Sequence, residues 1–323
     1  MEGMDVAADQ CSAHACLRDA QGTVDCIYVA ASGHDARFTR ICVASIRFFY
    51  PDVPIRLLVG GPLQRGLAQE LRRYWNVGIA QLSSTGDYGW GFVHLEPLFG
   101  TPGEKFLVLD SDTVITGPIL DKWRNCAAPF LVDDETQLEV NAAQIYYDWR
   151  KVVEIDSRTL EPSFLFNAGQ WFGTAGVLSR ADFGRWLEWT MPRRTVPAGL
   201  FKNGDQGVFN YVLNQKAALE GLKVERQTIM RWPGHSMDGL SLDAIVRRQA
   251  PALVVHWAGM KKPLLRNMVG GDVLLYFEHL YYSRVGGGTV RRSLANCRDI
   301  SRQGLRSVVR RIKFGIQRYV SRH

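Results

Sequence analysis

Two carboxylates separated by one residue follow a strongly apolar run in the first half of the chain. Phe106-Leu107-Val108-Leu109 leads directly into Asp110-Ser111-Asp112. In an open α/β sheet, ligands bind beyond the carboxyl ends of the strands, where this loop is expected to lie. Both carboxylates could then turn toward one hard divalent cation, which prefers oxygen ligands and can neutralise a departing diphosphate. The competing interpretation is a solvated turn, since Asp and Ser are common turn residues.

The same segment also fits the nucleophile signature of haloacid-dehalogenase-type phosphatases. Asp110, Asp112 and Val114 match a strand followed by Asp-x-Asp-x-Val. In such phosphatases the first Asp is phosphorylated, the second acts as acid and base, and a downstream Lys and acidic pair complete the site. No acidic pair follows at suitable spacing, because Gly204-Asp205 is followed at the expected place by Phe209. A phosphatase that uses Asp110 as nucleophile is therefore one candidate function, and a non-catalytic binding protein is another.

Three later segments place polar side chains at the end or the start of a predicted element. Phe166-Asn167-Ala168-Gly169 follows a short apolar strand, and Asp205-Gln206, with Asn210 four residues later, opens a helix. The last strand runs into His256-Trp257-Ala258-Gly259-Met260-Lys261-Lys262-Pro263, spaced as H-x2-G-x2-K-P. This order resembles the family-8 retaining glycosyltransferases, which include glycogenin and bacterial lipopolysaccharide galactosyl- and glucosyltransferases. The resemblance covers roughly residues 25–265 and implies a GT-A fold.

The resemblance implies a metal site. In such enzymes the two carboxylates and the final His hold Mn²⁺, or Mg²⁺, on the diphosphate of a nucleotide sugar, so Asp110, Asp112 and His256 are the expected ligands. A histidine that completes an oxygen-rich site suits Mn²⁺ better than Ca²⁺. Ligation is favoured here over a buried core histidine because of the Gly-x2-Lys that follows. Gly259 would let the backbone approach the phosphates, and Lys262 would stabilise the leaving diphosphate.

The resemblance also implies a donor pocket, with a UDP-hexose as the expected donor. Asn167 and Gly169 would line the sugar pocket, Asp205 would hold sugar hydroxyls, and Gln206 would lie near the anomeric carbon. An alternative for Asp205-Gln206 is an acidic helix N-terminus, which the helix dipole favours. A set of eight residues is expected to bind the nucleotide or its phosphates. They are Ala30, Ser32, Asp35, Asp110, Ser111, Gly169, Gly259 and Lys262.

Retention of anomeric configuration by double displacement needs a carboxylate nucleophile near the anomeric carbon. The position that matches the candidate nucleophile of the resembled family is Gln206, whose amide is a poor nucleophile. The hypothesis is therefore a front-face reaction, in which the departing phosphate oxygen accepts the proton of the acceptor hydroxyl. The chain departs from the related galactosyltransferases upstream of the carboxylates, where Val93-His94-Leu95-Glu96-Pro97-Leu98 stands in place of a nearby Arg and Lys.

The elements that must position these residues alternate between strands and helices. Apolar runs predict strands at residues 25–31, 55–59, 77–82 and 105–109, and later at 164–166, 222–225 and 253–255. Helical spacing of apolar residues predicts a helix over 38–49, stopped by Pro51, and another over 62–75. This alternation predicts an α/β fold, with a mainly parallel central sheet flanked by helices.

The net charge of +7 is distributed unevenly along the 323 residues. From Arg284 onward there are eleven Lys or Arg and one acid, so that residues 1–283 carry a net charge of −3. A body without surplus positive charge is not expected to bind nucleic acid. A helical stripe of apolar residues also marks this tail, consisting of Leu305, Val308, Val309, Ile312, Ile316, Tyr319 and Val320.

Arginines and a lysine occupy the remainder of that helix, and such a basic amphipathic helix can lie in an anionic membrane surface. The alternative is a helix docked on the body of the protein.

The predicted organisation is a poorly ordered segment 1–22, a GT-A domain 23–283 and a membrane-associating tail 284–323. No signal peptide or membrane-spanning run is recognised, and the six cysteines form no CxxC pair. We therefore expect a cytoplasmic protein with free thiols, peripherally bound to the inner membrane face, that acts on a lipid-linked or surface-polysaccharide acceptor.

Overall fold

The computed structural model describes residues 24–33, 35–89, 91–134, 142–234, 239–260, 264–297 and 301. Its strands, in chain order β1 to β12, are Cys26–Ala31, Ile55–Val59, Val77–Ile79, Lys105–Asp110, Thr113–Ile115, Phe130–Asp133, Gln170–Thr174, Leu187–Glu188, Arg194–Thr195, Val224–Gln227, Met230–Arg231 and Val254–His256. They form a seven-stranded sheet of order β10-β6-β7-β4-β1-β2-β3, a three-stranded sheet of order β11-β12-β5, and the pair β8-β9.

Nine α-helices lie wholly within the described ranges, and a further helical segment begins at residue 288. In chain order α1 to α9, they are Ala36–Phe49, Leu67–Trp75, Leu120–Arg124, Ala142–Ile145, Trp149–Val153, Arg180–Phe183, Asp205–Glu220, Leu242–Val246 and Gly271–Ser283. Short 3-10 helices cover Phe92–Phe99, Gly184–Trp186 and Leu265–Asn267. None of the helices in these ranges has the length and apolar character needed to cross a bilayer.

The first half of the chain forms the parallel part of the large sheet. β1 pairs in parallel with β2 and with β4, and β2 pairs in parallel with β3. Helices α1 and α2 connect these strands, because parallel neighbours need a long crossover. The predicted stripe of α1 is buried at every position, namely Phe38, Ile41, Cys42, Ser45 and Phe49. The predicted α/β fold with a mainly parallel sheet is confirmed.

The strand that leads into the paired carboxylates lies in the middle of the sheet. β4 has β1 on one side and β7 on the other, and its residues 106–109 are fully buried. A strand covered on both faces reads as a continuous apolar run, as this one does. The neighbour β7 is antiparallel to both β4 and β6, so the sheet is mixed at this point. This reversal brings the start of β7 to the end of β4.

The predicted strand at 164–166 is wrong. Side-chain amides of helix α7, rather than another strand, satisfy its backbone groups. Asn210 accepts the Phe166 N–H and donates to the Phe166 carbonyl, both at 2.9 Å. One turn further, Asn214 donates to the Phe164 carbonyl at 2.8 Å and accepts its N–H at 3.3 Å. Helix α2 also begins later than expected, at Leu67, because Gly66 has a left-handed φ of 80°.

The segment after helix α9 packs on the body of the protein. Residues 288–297 are helical, and Arg292 among them pairs with the buried Glu278 at 3.1 Å. Arg37 of helix α1 contacts the other oxygen of Glu278 and the side chain of Asn296, both at 2.6 Å. Residues 288–297 therefore pack on the body of the protein, and the membrane-associating role of residues 284–323 stays a prediction. The predicted segment 1–22 and the amphipathic stripe 305–320 lie outside the described residues.

Candidate active site

The paired carboxylates stand where the central strand ends and the chain turns back. The Asp110 N–H donates to the Gly169 carbonyl at 2.7 Å, which continues the antiparallel ladder between β4 and β7. The Thr113 hydroxyl donates to the Asp110 carbonyl, also at 2.7 Å, and closes the turn. Asp112 is buried, and Asp110 keeps about a third of its side chain exposed. The loop is therefore a defined turn at the carboxyl edge of the sheet.

His256 reaches this turn through the three-stranded sheet. β12 is antiparallel to β5, and its register places His256 opposite Thr113. The Trp257 N–H donates to the Asp112 carbonyl at 3.0 Å. The imidazole Nε2 consequently lies 3.4 Å from Asp110 Oδ2 and 3.3 Å from Asp112 Oδ1. The pairing of two short strands thus brings together residues that are far apart in the chain.

These three side chains have the donor set and spacing of a divalent cation site. Ligand atoms of Asp110, Asp112 and His256 lie within 4.8 Å of one another. Both ring nitrogens of His256 are buried and make no hydrogen bond to the described part of the chain. Two carboxylates and one imidazole suit Mn²⁺ or Mg²⁺ with remaining positions for other oxygen ligands. We call this cluster the candidate metal site.

The Trp232 ring and the backbone of Gly169 also shape the candidate metal site. The Trp232 ring stacks on the His256 ring, with centroids 5.3 Å apart and an interplanar angle of 17°. Gly169 lies against the site so closely that a Cβ there would meet His256 Cε1 and would come 2.6 Å from Asp110 Oδ2. Only a glycine fits at this position without displacing both side chains.

Asp205, at the start of helix α7, joins the same site through His94. His94 Nδ1 lies 3.1 Å from Asp205 Oδ2, and its Nε2 lies 3.1 Å from Asp110 Oδ1. His94 belongs to the 3-10 helix 92–99, and its side chain is buried. Asp205 itself is 3% exposed. The predicted sugar-binding carboxylate and a predicted metal ligand are therefore joined by one imidazole.

Burial and charge act in opposite directions on these groups. Burial lowers the pKa of His94, but the Asp110 and Asp205 carboxylates raise that pKa well above its usual value. Burial also disfavours a charged His256, whereas Asp112 and Asp110 raise its pKa to about 9. Burial favours a protonated Asp110, yet both rings hold its pKa far below the usual range. The pKa of Asp205 is raised, chiefly by burial. The carboxylates beside each ring therefore favour its cationic form over the neutral form.

Gln206 holds the backbone beside the candidate metal site. Its Oε1 accepts the Ala168 N–H at 3.2 Å, and its Nε2 donates to the Ile145 carbonyl at 3.4 Å. The neighbouring Asn167 accepts the Gly169 N–H on its Oδ1 at 2.9 Å. The amide of Gln206 is thus engaged at both ends by main chain. Its predicted place near an anomeric carbon stays a prediction.

The residues expected to bind the nucleotide lie at the end of β1 and in the loop that follows. Ala30 is the register partner of Asp110, which places the end of β1 beside the candidate metal site. The Ser32 hydroxyl donates to Asp35 at 3.1 Å, and Ser111 is buried between the two carboxylates. Gly259 has a φ of 69°, and Lys262 lies outside the described residues. The nucleotide-binding roles of all these residues remain predictions.

Sequence reasoning missed His94 and Trp232. The residues around His94 are apolar, and a single histidine among them resembles a core residue. The available signal was its position, since the resemblance drawn from the sequence leads to an expectation of basic residues in this segment. Trp232 follows β11 and has no motif of its own. Its contact with His256 depends on the parallel pairing of β11 with β12.

The fold, with the candidate metal site at the carboxyl edge of its sheet, is of the GT-A class, and comparison with solved structures agrees. The galactosyltransferase LgtC, solved with donor and acceptor sugar analogs, superposes with a TM-score of 0.53 at 15% identity, over 81% of this chain and 96% of that one. The bifunctional glycosyltransferase WbbM superposes with a TM-score of 0.52 at 13% identity, over 82% of this chain and 52% of that one. No family model and no curated protein matches the sequence itself. The expected GT-A fold is confirmed.

Proposed function

We propose that this protein is a metal-dependent glycosyltransferase that moves a hexose from a UDP-sugar to a glycan or lipid-linked acceptor, with retention. The observation that carries the proposal is the convergence of Asp110, Asp112 and His256 at the carboxyl edge of a GT-A sheet. Asp205 is tied into that site by His94. A candidate metal site beside a buried carboxylate suits a donor that has both a diphosphate and a sugar.

Mn²⁺ is the proposed metal, with Mg²⁺ as the substitute. When bound by Asp110, Asp112 and His256, it would supply positive charge to a diphosphate leaving group. Lys262 would add a second positive charge on the same group. Asp205 and Asn167 would orient the sugar hydroxyls, and the Gly169 backbone would close the pocket from the β7 side.

The proposed chemistry is a front-face transfer. Gln206, in the position suited to a nucleophile, is an amide that holds the Ala168 backbone, and it supplies no carboxylate for a covalent intermediate. The bond from the anomeric carbon to the phosphate oxygen would break while the acceptor oxygen bonds on the same face. The acceptor proton would pass to the departing phosphate oxygen. A glycosyl adduct on Asp205, trapped by mass spectrometry in a Gln206→Ala variant, would contradict this pathway.

A thermal-shift panel of nucleotide sugars with and without Mn²⁺ tests the proposed donor and metal. A ligand that binds only the native state stabilises it by about 2.7 kcal/mol at a hundredfold excess over its Kd. The unfolding temperature rises as a result. We expect a UDP-hexose to stabilise the protein only when Mn²⁺ is present. Donor binding with no hydrolysis or transfer would favour a non-catalytic binding protein. Phosphate release from simple phosphomonoesters would favour the phosphatase, although both Asp110 oxygens already face imidazoles.

The proposed location is the cytoplasmic face of a membrane, where a lipid-linked or surface-polysaccharide acceptor would be reached. The support is the basic amphipathic pattern of residues 305–320, since each cation near an anionic surface contributes about 1 kcal/mol. Arg291 and Arg292 are not available for this purpose, because they pair with Glu70 and Glu278. Liposome flotation should therefore compare the full chain with a chain that ends at residue 301. Equal flotation of both would contradict a membrane role for the tail.

A further inference from the structure

His94 divides its two ring nitrogens between two carboxylates with different expected roles. Nε2 lies 3.1 Å from Asp110 Oδ1, and Nδ1 lies 3.1 Å from Asp205 Oδ2. The other oxygen of Asp110, Oδ2, faces His256 Nε2 at 3.4 Å. Asp110 therefore directs one oxygen to the candidate metal site and the other to His94. Asp205 is not among the side chains of the candidate metal site.

The backbone that carries His94 is fixed on both sides. The His94 N–H donates to the Gly91 carbonyl at 2.9 Å, and Gly91 itself packs against the Asp205 carboxylate. Two residues further, Glu96 accepts the Ser83 N–H at 2.7 Å and pairs with the fully buried side chain of Arg193 at 2.6 Å. The backbone that carries the imidazole is therefore held by contacts on both sides of His94.

We propose that His94 is a positioning residue that holds Asp110 and Asp205 in one fixed arrangement and thereby couples binding of the divalent cation to binding of the donor sugar. This inference rests on the proposed function. His94 Nε2 pairs with Asp110 at 3.1 Å without hydrogen-bond geometry. A partner in contact with a metal ligand orients that ligand, and loss of such a partner lowers metal affinity by about 10–100-fold. Coupling between two binding events is reciprocal. Removal of Asp205 would free one side of the imidazole that contacts Asp110, so Asp205→Ala should also bind the cation more weakly.

Charge alone predicts the opposite sign for His94. A cationic ring near the candidate metal site repels a divalent cation, and its removal would strengthen cation binding. Orientation predicts weaker binding, because Asp110 is then free to turn away from the site. The direction of the change in Mn²⁺ affinity therefore distinguishes a positioning role from a purely electrostatic one.

The test measures Mn²⁺ binding to the full chain without donor, by electron paramagnetic resonance of the free ion. The variants are His94→Ala, Asp205→Ala and the double variant, with thermal melts to show that each is folded. His279→Ala and Asp243→Ala are matched controls, since these side chains lie on the exposed faces of helices α9 and α8. We expect both single variants to bind Mn²⁺ about 10–100-fold more weakly. The double variant should be no weaker than His94→Ala.

Three results would overturn the inference. Mn²⁺ affinity that is unchanged or stronger in His94→Ala would do so, and so would an Asp205→Ala variant that binds Mn²⁺ as the wild type does. Losses that simply add in the double variant would show that the two residues act independently. In each of these cases the wild type still binds Mn²⁺, so the proposed function stands. A wild type that binds no Mn²⁺ would overturn the proposed metal site and this inference together.

Discussion

The close contact between Gly169 and the candidate metal site makes a single methyl group a sharp perturbation. A Cβ at Gly169 would stand 2.6 Å from Asp110 Oδ2 and 2.9 Å from Asn167 Oδ1, and would also meet His256 Cε1. Ordinary van der Waals contact begins at 3.4 Å, so the Asp110 oxygen must move by about 0.8 Å. Metal–ligand distances tolerate only about 0.2 Å. The Gly169→Ala variant is therefore expected to distort the site rather than merely crowd it.

The expected magnitudes follow from that displacement. Misplacing a reacting group by about 1 Å costs roughly 100-fold in rate, so kcat/KM of Gly169→Ala should fall by about that factor. Mn²⁺ affinity should fall at least about tenfold, as expected for a disturbed ligand. Overpacking should lower the free energy of unfolding by about 1–3 kcal/mol. Isothermal titration of Mn²⁺, donor hydrolysis and urea unfolding measure the three quantities.

Gly78→Ala is the matched control. Gly78 lies in β3, and a Cβ there would make ordinary contacts of 3.6 Å with Arg56 Cγ and 3.7 Å with the Ile55 carbonyl. This variant should keep Mn²⁺ affinity and activity within about twofold, since surface substitutions rarely exceed about 0.5 kcal/mol. A folded Gly169→Ala protein that binds Mn²⁺ as tightly as Gly78→Ala would refute the reasoning.

Three further predictions concern stability and pH. Asn210→Ala removes both hydrogen bonds to the buried Phe166 backbone and should lower the free energy of unfolding by about 1–3 kcal/mol in urea titrations. Arg193→Met removes the buried partner of Glu96 and leaves Arg180 at 4.0 Å, and thermal unfolding should show a loss of up to about 3–5 kcal/mol. Mn²⁺ must displace the proton of His256, whose pKa is about 9. Calorimetric titrations from about pH 6.5 to 8.5 should therefore show affinity rising up to about tenfold per pH unit.

The parts of the fold and site that the sequence predicts are those with a local or a short-motif signal. The run 106–109 is continuously apolar because β4 is buried on both faces, and it locates the carboxylates without further information. Strands alternate with helices over residues 25–82, and this alternation predicts the parallel strands, because parallel neighbours need a helical crossover. Asp110, Asp112 and His256 come together as the family motif implies, and β12 pairs with β5 to bring them there.

The parts that could not be predicted depend on contacts between distant segments. Residues 164–166 have the composition of a strand, but the partners of their backbone are side-chain amides of Asn210 and Asn214. The antiparallel insertion of β7 between β4 and β6 has no local signal, because strand direction depends on the path of the chain. His94 sits in an apolar segment, and only the folded chain shows that it faces two acids.

The buried Glu278 links the segment 288–297 to the start of helix α1. Its two oxygens are bound by Arg37, in the first turn of helix α1, and by Arg292, in the helical segment 288–297. Helix α1 begins immediately after the loop of Ser32 and Asp35. Moving residues 288–297 away would break the Arg292 pair and leave Arg37 paired with the buried carboxylate. The contacts of Glu278 therefore connect residues 288–297 to the first turn of helix α1, directly after the loop at the end of β1.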